Sequence, residues 1–173
     1  MMTKKLALLF SVVLFLVISV ACAKTSSTPM DNNSMIESGD KIGDFLITTG
    51  VEGHFTYGFN IECSDLGERN TYSCSAGVGE AINVSTGLYD DTGSGNLDEI
   101  WSHSNYHMFI HDHPVDLQAF GTVEYTHPVV GVIRFGNVVV IASKPGKITV
   151  RDSGVFDNGD PFVSTSTYIF SEP

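Results

Sequence analysis

From His54 to Glu62 the chain alternates with a period of two: Phe55, Tyr57, Phe59 and Ile61 fall on one side, and His54, Thr56, Asn60 and Glu62 on the other. Successive side chains of an extended chain point to opposite faces, so this run predicts a half-buried strand. Asp44 to Thr49 reads as a second strand, and Gly50 to Gly53 as the turn that joins the two into an opening hairpin. Ala81 to Ser85 and Gly121 to Tyr125 are shorter strands bounded by glycine. Val129 to Ala142 is apolar on both faces, as a central strand is. It reads as one long strand with a bulge near Gly136; the alternative is a hairpin turning at Gly136-Asn137, with arms at Val130 to Phe135 and Val138 to Ala142.

Toward the C-terminus, Pro145-Gly146 turns the chain, and Ile148 and Val150 alternate with Thr149 and Arg151. Asp157 to Asp160 turns it again before a last strand from Pro161 to Phe170. One segment departs from the β pattern. Asn96 and Glu99 have the spacing of a capping pair, which predicts a short helix over Leu97 to His103, with Leu97, Ile100 and Trp101 covering one end of the core. Tyr106, Met108 and Ile110 then resume period two. From Lys41 to Pro173 there are about 130 residues, enough for one domain and too few for two. The expected fold is all-β: an antiparallel β-sandwich with one short helix. The closing strand, Pro-Gly turn and terminal hairpin resemble the end of immunoglobulin-like and fibronectin-type sandwiches, which implies an immunoglobulin-like or jelly-roll-like arrangement.

Ahead of that domain lie Lys4 and Lys5, an uncharged run from Leu6 to Val20, and the small residues Ala21, Cys22 and Ala23. A basic start, an apolar stretch and small residues form a secretory signal, residues 1–23. An uncleaved membrane anchor is the competing reading of the same run. Ser19-Val20-Ala21-Cys22 resembles the lipobox of bacterial lipoproteins, with serine where leucine is typical. The resemblance implies lipidation at Cys22 and a protein held to a membrane at the cell envelope or surface. Plain secretion, with cleavage after Ala23, is the alternative. Residues 24–40, rich in Ser, Thr, Asn and Asp, read as a polar tether.

Export makes sense of the cysteines. With Cys22 acylated or removed, Cys63 and Cys74 remain as a pair, and an oxidising compartment favours a disulfide between them. Charge narrows the partners. The chain holds 9 Lys+Arg against 20 Asp+Glu, and losing the two leader lysines takes its net charge from −11 to −13. No Lys or Arg occurs between Arg69 and Arg134. Such a surface repels nucleic acid and suits cations or basic surfaces; the competing reading is a solvated acidic face that keeps the protein soluble.

Candidate chemistry is sparse. His103, His107, His111, His113 and His127 are concentrated in one stretch, and His111 and His113 would share a face of a continuing strand, with His127 as a third zinc ligand. That arrangement resembles cupins and some zinc lyases, although Leu117 and Gln118 stand where a cupin supplies glutamate. The competing reading makes His111 to Pro114 a plain turn. Asp90, Asp91 and Asp98 crowd a glycine-rich loop that could hold calcium, without the EF-hand register. Asp112, Asp116 and Glu124 are carboxylates of the kind that glycoside hydrolysis uses. No G-x-S-x-G elbow occurs, and Asp152-Ser153-Gly154 lacks the context of a serine-protease nucleophile. Trp101, Tyr106, Tyr89 and Tyr125 are aromatics that could meet a sugar. The expected role is a binding or interaction module with a protein or glycan partner. A metal-dependent enzyme built on His111, His113 and His127 is the rival, and a purely structural envelope protein the third option.

Overall fold

The computed structural model describes residues 34–172 apart from Arg69 and Ser94. Cys22, the leader and the tether through residue 33 lie outside the described residues. The described chain is mostly β and arranged in three sheets. The largest has six strands in the order β4 (Cys63–Asp65), β5 (Thr71–Gly77), β14 (Pro161–Ser171), β13 (Gly146–Val155), β8 (His107–Ile110) and β9 (His113–Pro114). A second runs β1 (Lys41–Ile42), β2 (Phe45–Thr48), β12 (Val139–Ala142), β6 (Ala81–Asn83) and β3 (Thr56–Tyr57). The third is β10 (Thr122–His127), β11 (Gly131–Gly136) and β7 (Gly87–Tyr89).

The two larger sheets share one core, a sandwich-like arrangement. Ile47, Ile82 and Val140 come from one sheet, and Met108, Ile110, Ile148, Val150 and Phe170 from the other, all almost fully buried. A smaller cluster around Tyr57, Ile133 and Phe135 lies under the three-stranded sheet. A third joins Leu88, Ile100 and Phe162, with Leu97, Trp101 and Tyr106 packed against it.

The purely antiparallel pairing expected from the sequence does not hold: β5 runs parallel to β14, and β3 parallel to β6. Long connections allow this, since parallel neighbours need a crossover rather than a tight turn. The helix α1 (Leu97–His103) forms as expected, with Asn96 accepting from the Glu99 N–H at 3.1 Å while its amide donates to the Glu99 carboxylate. A second short helix, α2 (Leu117–Phe120), was not expected; Asp116 caps it by accepting from the Gln118 and Ala119 N–H groups.

Three strand expectations fail. The run from His54 to Glu62 is extended only at Thr56–Tyr57, then coils into a 3-10 turn at Gly58–Asn60. Its aromatic residues reach one another through that turn, with Phe59 parallel to Phe135 at 5.6 Å and Phe55 edge-on to Tyr57 at 5.0 Å. The opening hairpin is also absent, because β2 pairs with β1 and β12 instead. Val129 to Ala142 is neither one strand nor a hairpin: β11 and β12 belong to different sheets. Asn137 makes the crossing. Its side chain clasps both the N–H and the carbonyl of Gly50, and its own N–H donates to the Gly121 carbonyl.

The fold also starts earlier than residue 41. Ile36 is fully buried, bridges Val115 in parallel and donates its N–H to the Pro114 carbonyl. An apolar residue inside the polar tether found the core, which the tract's composition concealed.

Candidate functional site

The inward face of β14 reads Phe162, Ser164, Ser166, Tyr168, Phe170. Its ends are buried rings, but the two serines are small and polar where the core needs bulk. Across the sheet, Asp152 of β13 stands opposite Ser164, and Val150 and Tyr72 flank Ser166 on either side. The inner face of the six-stranded sheet is therefore interrupted by hydroxyls and one carboxyl.

That interruption is a cleft of about 310 Å³ where the six-stranded sheet meets the three-stranded one. Ser164, Ser166 and Tyr168 line it from β14, Ser85, Thr86 and Gly87 from the approach to β7, and Phe59, Tyr72 and Phe135 as aromatic walls. The Cys63–Cys74 disulfide, predicted from the sequence, borders it and joins β4 to β5 in register. Two glycines let the walls close in. A Cβ on Gly87 would lie 2.5 Å from the Phe135 ring, and one on Gly58 2.7 Å from the Tyr168 hydroxyl.

Behind the cleft lies Asp152, 3% exposed. The Tyr106 hydroxyl donates to its Oδ1 at 2.7 Å, and the Thr86 hydroxyl to its Oδ2 at 3.0 Å. Tyr106 in turn accepts the Thr86 N–H at 2.8 Å. Burial pushes the Asp152 carboxyl up to about 7, against the opposite pull of those two donors. Burial also raises Tyr106 and Tyr168, and the nearby Asp152 charge adds to both. Asp152 does not line the cleft, so its effect on a bound molecule passes through Thr86. When Asp152 is ionised, the Thr86 hydroxyl gives its proton to the carboxylate and offers lone pairs as an acceptor. The Ser85 hydroxyl is likewise committed to the Gly136 carbonyl and to Asn83, itself fully buried.

Among the described residues, no charged side chain lines the cleft. An ionised ligand would leave water without a counter-ion, at a cost of several kcal/mol. A wholly apolar ligand would take water from the Ser164 hydroxyl, which makes no hydrogen bond among the described residues, at roughly 1–3 kcal/mol. What fits is a neutral molecule with both hydrogen-bonding groups and apolar surface.

At the rim of the cleft, Phe59 is 47% exposed and stacks on Phe135 and Tyr57, with Tyr125 and His127 at its edges. Of Trp101, Tyr106, Tyr89 and Tyr125, the four read as sugar contacts, only Tyr125 belongs to this cluster. Trp101 and Tyr106 pack against each other at the α1 end of the core.

The histidines do not converge. His111 and Asp112, with φ of 48° and 66°, form the two-residue turn of the β8–β9 hairpin, so the turn reading of this segment replaces a continuing strand. His113 pairs opposite the buried Ile110, and its Nδ1 is buried without a partner. His127 sits in another sheet, its Nδ1 accepting from the Val129 and Val130 N–H groups. The acidic loop is tied up in internal contacts. Asp90 accepts from the Gly95 N–H, Asp157 accepts from both the N–H and hydroxyl of Thr92, and Asp98 is paired with Arg134. Asp91 shares a hydrogen bond with Asp157, and desolvation followed by that neighbour's charge raises its pKa. Among the described residues, no group of three or more His, Cys, Asp or Glu side chains is placed to hold a metal ion.

Sequence reasoning missed the cleft. Its signal was a polar residue at the inward register of an apolar strand: Ile148 and Val150 are followed two residues on by Asp152, and Phe162 by Ser164 and Ser166. Comparison with family models, with curated proteins and with solved structures finds no match to this chain.

Proposed function

We propose that the protein is an exported binding module of the cell envelope, anchored by a lipid on Cys22, whose ligand occupies the cleft between β14, β7 and the Phe59 turn. The observation that carries this reading is the uncharged, hydroxyl-bearing gap in an otherwise apolar sheet face. Two serines and a buried carboxyl in place of apolar side chains weaken a core, so a structural role alone does not account for them. The leader and the Cys22 motif support export and anchoring. The disulfide supports an oxidising compartment. The Pro145-Gly146 turn and the β13–β14 hairpin support an immunoglobulin-like or jelly-roll-like scaffold, which must accommodate the two parallel pairs.

A thermal-shift screen of the purified full chain against neutral sugars, nucleosides, amino acids and fatty acids tests the site. The expected result is a stabilising compound whose effect is lost in Ser166→Leu, which fills the cleft, and kept in the remote Lys144→Ala. A screen without any hit, or a hit indifferent to Ser166→Leu, removes the proposal. Incorporation of an alkyne-tagged fatty acid by cells should label the wild-type chain and not Cys22→Ser; equal labelling removes the anchor.

A further inference from the structure

Taking the cleft to be a ligand site, we infer that its ligand is a neutral carbohydrate, with one sugar ring seated between the Phe59–Phe135 wall and the hydroxyls of Ser164, Ser166 and Thr86. Four features of the site converge on that class. Among the described residues no charge lines the cleft, so phosphates, carboxylates and zwitterions find nothing there to replace their hydration. Hydroxyl groups, which both donate and accept, match the alternating donor and acceptor needs of a polyol rim. Ser164 and Thr86 are complementary here: the Thr86 hydroxyl is left an acceptor when it donates to ionised Asp152, while the Ser164 hydroxyl makes no hydrogen bond among the described residues and can rotate to either role.

The third feature is the wall. Phe59 and Phe135 lie nearly parallel, 18° apart, and about half of Phe59 is still in contact with solvent. An exposed ring held rigid by stacking is a surface on which the C–H face of a sugar can lie at little cost in conformational entropy. An amphipathic ring ligand needs both surfaces at once, and the cleft supplies a polar side and an aromatic side. The fourth is size. At about 310 Å³ the cleft is at the lower end of the range for ligand pockets, which suits one ring rather than an extended polymer segment.

The disulfide gives the wall its footing. Cys63 lies four residues beyond Phe59 and is bonded to Cys74, which β14 flanks at Tyr168. The turn carrying Phe59 is thereby fixed relative to the strand carrying Ser164 and Ser166, so the two halves of the subsite keep their spacing.

The test titrates the full chain, in detergent, with maltotriose, cellotriose, xylotriose and chitotriose, and with trigalacturonate as the charged counterpart, by isothermal calorimetry and ligand-observed NMR. At least one neutral trisaccharide should bind, and trigalacturonate should bind about tenfold more weakly or not at all. Phe59→Ala should weaken the neutral ligand about tenfold and Phe59→Trp should keep it, with each variant checked for an unchanged circular-dichroism spectrum. Ser166→Ala, a milder change, should weaken it several-fold. If none of the trisaccharides binds while another neutral compound does so in a Ser166→Leu-sensitive way, the carbohydrate inference is wrong and the cleft remains a binding site. If nothing binds in the cleft, both fall. Equal affinity for trigalacturonate and the neutral sugars also overturns the inference, because an uncharged lining cannot hold an acid that well.

Discussion

Replacing Asp152 by Asn should abolish a specific pH dependence of stability. An unfolded Asp carboxyl titrates near 4, whereas burial holds the folded Asp152 proton until about pH 7. Folding therefore takes up a proton across that interval. The contribution is complete below about pH 4 and is lost as pH rises through about 7, so this group makes the protein less stable toward neutrality. One pKa unit is worth about 1.4 kcal/mol, which gives about 4 kcal/mol for the whole shift and about 2–3 kcal/mol between about pH 5 and about pH 8. For a domain of this size that corresponds to a fall in Tm of roughly 5–10 °C. Asn keeps the shape, its carbonyl can accept from Tyr106, and the Thr86 hydroxyl can turn to accept from its amide. Thermal unfolding followed by circular dichroism from about pH 5 to about pH 8 should show Asp152→Asn gaining on the wild type as pH rises. The exposed Asp91, whose pKa is also raised, is present in both proteins and drops out of the difference. Parallel wild-type and variant curves would refute the account of Asp152 as a buried, protonatable group.

Reducing the Cys63–Cys74 bond, which spans 11 residues, should cost about 3 kcal/mol through the freed chain entropy; urea unfolding with and without reductant measures it, and coincident midpoints would refute it. Gly87→Ala forces a methyl against Phe135 and Ile133, so a loss of about 1–3 kcal/mol is expected in the same assay, and a wild-type midpoint would show that the walls yield freely. Ile36→Ala should cost about 2–5 kcal/mol because Ile36 is fully buried, and an unchanged midpoint would mean that the segment does not dock.

The C-terminal third was legible because independent signals coincided there. Pro145-Gly146 and Asp157 to Asp160 punctuate two alternating runs, and β13 and β14 pair along their whole length. Helix α1 was legible for a similar reason, since Asn96 and Glu99 provide a local start signal that needs no tertiary partner. Local pattern failed where long-range contacts decided the outcome. Between His54 and Glu62 the aromatics are drawn into a cluster with Phe135 and Tyr125, whose positions the local alternation cannot know. From Val129 to Ala142 the apolar run is continuous, yet the clasp of Asn137 on Gly50, distant in sequence, sends its halves to different sheets. The cleft was hidden differently. Ser164, Ser166 and Asp152 look like ordinary solvent-facing positions until the inward side of each strand is known, and that side is set by which residues meet across the sheets.

Burial of Ile36 also fixes how far such a domain can stand from a bilayer. A lipid on Cys22 would leave fourteen residue steps before the chain disappears into the protein beside Val115. Even drawn out straight, that length spans no more than roughly 50 Å. The module would hover within about one protein diameter of the surface, close enough to sample what protrudes from its own membrane and too close to reach across a wide gap.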